Sequence, residues 1–340
     1  MRIAILAHEK FPDRAKTATG VLRYGTHDVV AVVDRDRDGE RVADCDASLP
    51  DAPIVASLSE VDEPLDALLI GISPIGGGFD ESWRPDVRAA LERGCDVISG
   101  LHYFLEDDSE FRALAEEHGC ELWDVRRPPN DLGVADGVAD SVDATVIATV
   151  GTDCSVGKMT TTFELVDAAR ERGVDAAVVP TGQTGIMAEG WGYPIDRVVS
   201  DFAAGAVEEL ILERGNDHDY LFVEGQASIA HPAYSGVSTA ILHGSMADEL
   251  VLCHATDRER FHGFSQTLPS IPAFVSLHES LAAPVGGSEV VAGALNTSGI
   301  DGDDAARAAV ETYADELGQP AADVVRFDAD AVLDSILGAE

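Results

Sequence analysis

Residues 151–160 read GTDCSVGKMT, and this stretch constrains the architecture of the chain more than any other. It follows an apolar run at residues 144–150, typical of a buried strand, and precedes residues 161–171, whose pattern predicts a helix. A strand, a glycine-bounded loop with a lysine, and a helix together indicate a phosphate-binding loop. Glycines let backbone N–H groups turn toward an anion, the helix start adds positive potential, and the lysine neutralises phosphate oxygens. The alternative is a glycine-containing turn that binds nothing.

Two details depart from the common form of this loop. The spacing between Gly151 and Gly157 is one residue longer than in the common motif. Met159 follows Lys158, where the common motif has a serine or threonine whose hydroxyl binds Mg²⁺. The next hydroxyl belongs to Thr160, and one residue along a helix turns the side chain by roughly 100°. The loop therefore predicts a phosphate site more firmly than it predicts Mg·ATP.

The charge of the chain narrows its function class. Its 340 residues suffice for about two domains. Against 62 acidic residues stand 23 basic ones, only three of them lysines, and the net charge is −39. An acidic excess spread along the chain indicates a halophilic protein, because counterions at high salt screen self-repulsion; a cationic partner is the alternative. The same charge argues against nucleic-acid binding, which needs a basic face. Since lysine is so rare, we expect a specific task for Lys158.

The cysteine pattern and the lack of long apolar stretches indicate a cytoplasmic protein. The five cysteines are widely spaced and form no Cys-x-x-Cys pair: Cys45, Cys95, Cys120, Cys154 and Cys253. This pattern is typical neither of a disulfide framework nor of a zinc site. Cys154 lies in the loop, but the sequence assigns it no histidine partner that would make it a nucleophile. No stretch has the length of a signal or membrane segment. We expect no membrane association, and a homo-oligomer.

Both halves of the chain alternate short apolar strands with helices, which predicts parallel sheets covered by helices on both faces. The expected α/β domains are a Rossmann-like N-terminal domain at residues 1–130 and a P-loop NTPase-like domain at residues 144–340, joined by a linker at residues 131–143. The predicted strands are residues 2–7, 28–34, 65–73, 95–99, 120–125, 144–150, 176–179, 220–223, 249–253, 290–295 and 324–327. The predicted helices are residues 83–93, 106–118, 161–171, 201–214, 235–243, 305–317 and 329–337.

Ligands of parallel sheets bind beyond the carboxyl ends of the strands, and this rule selects the candidate site. Glu224 ends an apolar strand, where a carboxylate holds Mg²⁺ or its water, or else faces solvent. His231 follows in a loop and is the candidate general base, with a structural histidine as the alternative. The predicted catalytic residues are Lys158, Glu224 and His231. If Mg²⁺ is used, its predicted ligands are Glu224 and Thr160.

The remaining loops at this edge supply the cofactor and substrate contacts. The predicted cofactor-binding residues are Gly151, Thr152, Asp153, Cys154, Ser155, Val156, Gly157, Lys158, Met159, Thr160 and Asn296. Asn296 suits a base edge or a ligand carbonyl, and equally a turn. The predicted substrate-binding residues carry hydroxyls, amides or glycine backbone suited to a carboxylate or phosphate. They are Thr181, Gly182, Gln183, Thr184, Gly185, Gln226 and Tyr234.

Two resemblances sharpen this interpretation. The loop, the run Val223-Glu224-Gly225 and Asn296 resemble the dethiobiotin synthetase group, over the second half only. A second resemblance covers nearly the whole chain. It is carried by Lys16-Thr17-Ala18 with Arg23-Tyr24, Gly100-Leu101-His102, the loop, residues 180–185, Glu224-Gly225-Gln226 and His231-Pro232. Together these motifs are similar to a two-domain family long of unknown function, whose members include D-glutamate N-acetyltransferases.

This resemblance implies acetyl transfer from acetyl-CoA to the amine of D-glutamate or a similar acidic amino acid. The loop would hold the phosphates of coenzyme A without Mg²⁺, which suits Met159. His231 or Glu224 would be the base, backbone N–H groups would face the thioester oxygen, and residues 180–185 would hold the carboxylates. Two alternatives stay open. One is an ATP- and Mg-dependent ligase or kinase that activates a carboxylate, and the other is a nucleotide-sensing module without chemistry.

Overall fold

The computed structural model describes residues 1–74 and 76–338, and the chain divides into two compact units. The first unit consists of Met1–Pro128 and Gln183–Arg197, and the second contains Pro129–Gly182 and the chain from Val198 onward. The first segment of the first unit therefore ends at Pro128, two residues before the predicted end of the N-terminal domain at residue 130. Residues 183–197, expected in the second domain, belong to the first unit.

The first unit is a six-stranded parallel sheet with the order β3-β2-β1-β4-β5-β6. Its strands are β1 (Arg2–Leu6), β2 (Asp28–Val33), β3 (Ile54–Val55), β4 (Ala67–Ile70), β5 (Asp96–Ser99) and β6 (Leu122–Asp124). The helices along this part of the chain are α1 (Lys16–Tyr24), α2 (Val42–Cys45), α3 (Arg84–Glu92) and α4 (Ser109–His118). β4 is buried along its whole length, as expected of a central strand covered on both faces.

The second unit also has a six-stranded parallel sheet, in the order β12-β11-β10-β7-β9-β8. Its strands are β7 (Thr145–Gly151), β8 (Ala176–Val179), β9 (Tyr220–Val223), β10 (Glu249–Ala255), β11 (Glu289–Asn296) and β12 (Ala321–Ala322). The helices that follow in the chain are α5 (Lys158–Glu171), α6 (Gln183–Glu189), α7 (Ser200–Arg214), α8 (Ser235–Ser245), α9 (Ile271–Ala282), α10 (Asp303–Leu317) and α11 (Asp330–Leu337). These two sheets confirm the predicted α/β fold class.

The strand predicted at residues 324–327 is wrong. The chain turns there, and the strand that joins the sheet is β12, three residues earlier. Asp323 causes the turn, because its carboxylate accepts the N–H groups of Val325 at 3.2 Å and Arg326 at 3.0 Å. An aspartate that bonds backbone groups a few residues ahead ends an extended run even when apolar residues follow.

α6 lies in the first unit because it packs on α1, a helix that the strand and helix pattern did not predict. The hydroxyls of Thr17 and Thr184 are 3.2 Å apart across this contact. Ile186 and Met187 of α6 are both buried in the hydrophobic core of the first unit. No helix among the described residues is long and apolar enough to cross a membrane.

Candidate phosphate-binding site

The backbone after β7 contains two left-handed residues within three positions. Ser155 and Gly157 have left-handed conformations, with φ of 55° and 108°. Left-handed residues within such a loop turn successive N–H groups to one side and create an anion-binding nest. α5 begins directly after Gly157, and no described side chain caps its first turn. Its first N–H groups and the positive end of its dipole therefore remain for an anion at the loop.

Lys158 lies across this loop and is almost fully buried. Its Nζ donates to the carbonyl oxygen of Asp153 at 2.7 Å. Two glycines make room for it. A Cβ at Gly151 would lie 2.9 Å from this Nζ, and a Cβ at Gly225 would lie 1.7 Å from the carbonyl oxygen of Thr149. Any side chain at either glycine would displace the lysine or β7, so close packing requires both glycines.

The residues after Lys158 serve packing. Met159 is 8% exposed and belongs to the core. The hydroxyl of Thr162 donates to the carbonyl oxygen of Lys158 at 2.9 Å and lies 2.8 Å from the hydroxyl of Thr149. Thr160, the predicted alternative metal ligand, is half-buried on α5. An apolar side chain thus stands where the common motif places the hydroxyl that binds Mg²⁺.

Glu224, directly after β9, is buried and organises the loop after β8. One carboxylate oxygen, Oε2, accepts the N–H groups of Thr181 at 3.2 Å and Gly182 at 3.1 Å. The hydroxyl of Thr181 donates to the carbonyl oxygen of Glu224 at 2.6 Å, and the amide of Gln226 donates to the carbonyl oxygen of Thr181 at 2.7 Å. The donors predicted for a substrate carboxylate therefore already hold a carboxylate of the protein.

The other predicted substrate residues of this run belong to the first unit. Gln183 donates to the hydroxyl of Thr17 at 3.2 Å and accepts the Nε–H of Arg126 at 2.8 Å. Thr184 and Gly185 follow on α6. The run from 181 to 185 is therefore divided between the two units after Gly182.

His231 is buried at 1% exposure in a cluster of aromatic rings. Its ring stacks on Tyr234 at 4.8 Å between centroids and meets the edges of Phe261 and Phe264. Its Nδ1 accepts the N–H of Ala233 at 3.1 Å. The neutral ring therefore carries its proton on Nε2. Because Nδ1 is occupied, a role as general base would require His231 to break this bond.

Asp153 connects the loop to the neighbouring parts of the second unit. Its side chain is fully buried, and Oδ2 accepts the N–H of His262 at 2.7 Å and a guanidinium N–H of Arg258 at 2.9 Å. Its Oδ1 lies 3.7 Å from Nε2 of His231 and has no hydrogen-bond partner in the described structure. Sequence reasoning did not identify Arg258. The sequence around Arg258 contains no motif that would have identified it. The one available signal is that arginine and lysine are rare in this chain.

The side chains of Asp153, Cys154 and His231 form a possible metal cluster, with their ligand atoms within 4.8 Å of one another. Nε2 of His231 donates its proton to the carbonyl oxygen of His262 at 3.4 Å, however, whereas a metal would need that nitrogen unprotonated. Burial raises the pKa of the Cys154 thiol, which favours the protonated form that metals do not bind. These two properties do not fit a resident metal ion.

Two further predicted residues lie beside the loop. Asn296 ends β11, and a Cβ at Gly157 would lie 4.0 Å from its side-chain nitrogen. Its Oδ1 accepts the N–H of Ser298 at 2.9 Å, so the amide serves a turn while its nitrogen stays near the loop. Tyr234 is 54% exposed. It is therefore accessible to a ligand beside the loop.

A second histidine, His254, contacts the loop through Thr152. The hydroxyl of Thr152 lies 2.8 Å from Nδ1 of His254, whose ring stacks on Tyr313. Burial, with a smaller contribution from the charge of Arg258, lowers the pKa of His254 to about 4. His254 is therefore neutral at pH 7 and adds no positive charge to the loop.

Comparisons with known proteins agree with this architecture. A family model described as the DUF1611 P-loop domain matches residues 133–333, and a model described as the DUF1611 Rossmann-like N-terminal domain matches residues 35–128. The crystal structure of a DUF1611 family protein from Anabaena variabilis is similar over 99% of both chains, with a TM-score of 0.93 and 37% sequence identity.

Two relatives with named activities match most of the chain. A D-glutamate N-acetyltransferase from a Pseudoalteromonas species is 35% identical over 78% of this chain and 79% of its own length. One from Tritonibacter scottomollicae is 36% identical over 79% of this chain and 80% of its own length. With both domain models matched and relatives of this similarity, the chain belongs to the DUF1611 family.

Proposed function

We propose that this protein is an N-acetyltransferase that moves an acetyl group to the amine of D-glutamate or a similar acidic amino acid. The observation that carries the proposal is the similarity to two D-glutamate N-acetyltransferases over about four fifths of each chain. The loop after β7 supports it, because the nucleotide part of an acyl donor needs an anion site and the exposed Ser155 leaves the loop open to a ligand. We also propose that the acidic surface is an adaptation to high salt.

The proposed donor is acetyl-CoA, with its phosphates on the loop after β7. The left-handed Ser155 and Gly157, the start of α5 and Lys158 together supply backbone donors and one cation. Coenzyme A phosphates need these and no metal ion, which agrees with the apolar Met159 after the lysine. The loop then contributes binding and orientation, and the thioester carries the reactive group.

The length of the donor places the chemistry away from the loop. The pantetheine arm between pyrophosphate and sulfur is about as long as four peptide units, which reach roughly 14 Å when extended. His231 lies 3.7 Å from Asp153 of the loop, and Glu224 precedes Gly225, whose Cβ position is 3.3 Å from Lys158. With phosphates on the loop, both residues lie near the phosphates. In this orientation Glu224 holds the loop after β8 and His231 supports the surroundings of Asp153, and the base that deprotonates the amine lies about an arm's length away.

If acetyl-CoA binds in the opposite orientation, Glu224 or His231 remains the proposed base. If the thioester lies at the loop, the backbone N–H groups face its oxygen and Glu224 or His231 can accept the proton. In either orientation the amine attacks the acetyl carbonyl, a C–N bond forms, the C–S bond breaks, and coenzyme A leaves as the thiol. The variants Glu224→Gln and His231→Gln separate the two. Loss of a residue that only holds a loop is expected to raise the KM for acetyl-CoA, whereas loss of the base is expected to lower kcat.

The direct test is an assay of thiol release from acetyl-CoA with D-glutamate at high salt, with chelator present and L-glutamate as the control substrate. The proposal predicts release that depends on D-glutamate and persists with chelator. Activity that requires ATP and Mg²⁺ in place of acetyl-CoA would overturn it and favour the ligase or kinase. Binding of ligands without turnover of either donor would favour the sensing module.

A further inference from the structure

Arg258 holds an unusual position at the phosphate loop. It lies on the segment at residues 256–267 that follows β10, which we call the strap. Its Nη1 donates to Oδ2 of Asp153 at 2.9 Å and lies 3.5 Å from the carbonyl oxygen of Cys154. Its side chain is 17% exposed. The guanidinium thus lies directly on two residues of the loop and still reaches solvent.

Most of the hydrogen-bonding capacity of Arg258 is unused. A guanidinium has N–H donors on Nε, Nη1 and Nη2. Within the described structure, Nη1 makes all the hydrogen bonds of Arg258, and Nε and Nη2 make none. Arg84, in contrast, uses all three nitrogens on three carboxylates. In a chain with 62 acidic residues, an arginine with two free donor groups at an anion site is available for a ligand.

The strap is held in place independently of Arg258. The N–H of His262 donates to Oδ2 of Asp153 at 2.7 Å. The rings of Phe261 and Phe264 contact His231, and the N–H of Leu268 donates to the carbonyl oxygen of Glu259 at 3.0 Å. These contacts hold the strap, and with it the backbone that carries Arg258, before any ligand arrives, which lowers the entropy cost of binding.

We propose that Arg258 is a second phosphate-binding residue, which contacts a phosphate or pyrophosphate group bound at the loop after β7. Asp153 positions it and partly neutralises it until the ligand arrives. A planar fork of donors suits phosphate oxygens and can engage two of them at once. The inference rests on the proposed role of the loop as a phosphate site. It assigns to His231 the structural task of supporting the strap.

The test measures the dissociation constant of inorganic pyrophosphate by calorimetry at one fixed salt concentration. Arg258→Ala is expected to weaken binding by about ten- to a hundredfold, the loss of one or two charge-assisted hydrogen bonds. Arg258→Lys is expected to recover part of this affinity. Arg260→Ala is the matched control, because Arg260 lies on the same strap and bonds only the carbonyl oxygen of Ser265 among the described residues. Its affinity should stay within about twofold of wild type.

Arg258→Gln separates ligand binding from a structural role, because an amide can still donate to Oδ2 of Asp153 but carries no charge. If Arg258 binds phosphate, Arg258→Gln weakens pyrophosphate binding about as much as Arg258→Ala does. If the Asp153–Arg258 pair merely holds the loop, Arg258→Gln binds pyrophosphate as tightly as the wild type, and the inference is wrong. The inference is also wrong if the Arg258→Ala variant binds pyrophosphate as tightly as the Arg260→Ala variant does. A wild type that binds neither pyrophosphate nor coenzyme A overturns the proposed phosphate site itself. Melting curves confirm that each variant is folded.

Discussion

The two units place a loop at the carboxyl edge of similar parallel sheets, but they use its backbone differently. In the first unit the loop after β1 is closed by Asp34, whose carboxylate accepts the N–H groups of Glu9 at 2.7 Å and Phe11 at 3.1 Å. In the second unit the loop after β7 turns its N–H groups inward through Ser155 and Gly157. Both loops therefore lie at the location that a parallel sheet provides for ligands, and in our proposal the ligand binds at the loop whose donors no carboxylate of the protein takes.

The same contrast exists inside the second unit. The N–H groups of Thr181 and Gly182 belong to a loop that also follows a strand, and Glu224 takes both. A buried carboxylate thus fills that loop from within. The comparison predicts that charge changes at the β7 loop alter ligand binding, whereas changes at the closed loops alter stability.

The largest expected effect belongs to Lys158→Ala. The variant removes a cation that is buried at the loop, so affinity for pyrophosphate should fall by about two orders of magnitude. Lys16→Ala is the matched control, because Lys16 is exposed at the start of α1 in the first unit. Pyrophosphate-induced stabilisation in a melting assay measures both. Equal loss in the two variants would show that general charge, and not the loop, binds the anion.

A smaller effect is expected for Asp34→Ala in the first unit. The variant leaves the N–H groups of Glu9 and Phe11 without their acceptor, so the free energy of unfolding should fall by about 2 kcal/mol. Affinity for pyrophosphate should not change. Urea titration gives the stability, with the exposed Asp36→Ala as the control. Weaker pyrophosphate binding in Asp34→Ala would contradict the division of tasks between the two loops.

The smallest effect concerns pH and the second unit. Burial lowers the pKa of His278 to about 4, and its Nδ1–H donates to the carbonyl oxygen of Phe274. Below the unfolded pKa of about 6.5, the unfolded chain binds a proton that the folded chain refuses. Stability should therefore fall as the pH falls below about 6.5, by roughly 1.5 kcal/mol in all between pH 6.5 and pH 5 for this residue.

The control for this prediction is a pair of variants. His278→Asn should lose less stability than wild type when urea titrations at pH 6.5 and pH 5 are compared. His118→Asn, at the exposed end of α4, should lose as much as wild type. The same loss in both variants would show that His278 does not titrate as its burial indicates.

The loop was predictable because its signal is local. Strand, glycines, lysine and helix are adjacent in sequence, and Gly151 and Gly157 are needed by the geometry of the loop itself. The fold class followed from the alternation of apolar strands and helices for the same reason. The strand at residues 324–327 was mispredicted because one side chain, Asp323, outweighed the apolar pattern after it.

The surroundings of the loop were not predictable from sequence. Asp153, His231 and Arg258 are separated by many residues and meet only in the folded second unit. The assignment of α6 to the first unit depends on its packing against α1, which no local pattern encodes. Likewise, the carboxylate that occupies Thr181 and Gly182 lies more than forty residues away in the chain.

The most direct test of the central claim is a calorimetric titration of acetyl-CoA into the wild-type protein at high salt with chelator present. The account predicts saturable binding that survives chelation and is competed by inorganic pyrophosphate, because the loop holds the phosphates without metal. Binding of ATP that requires Mg²⁺, with no binding of acetyl-CoA, would contradict it.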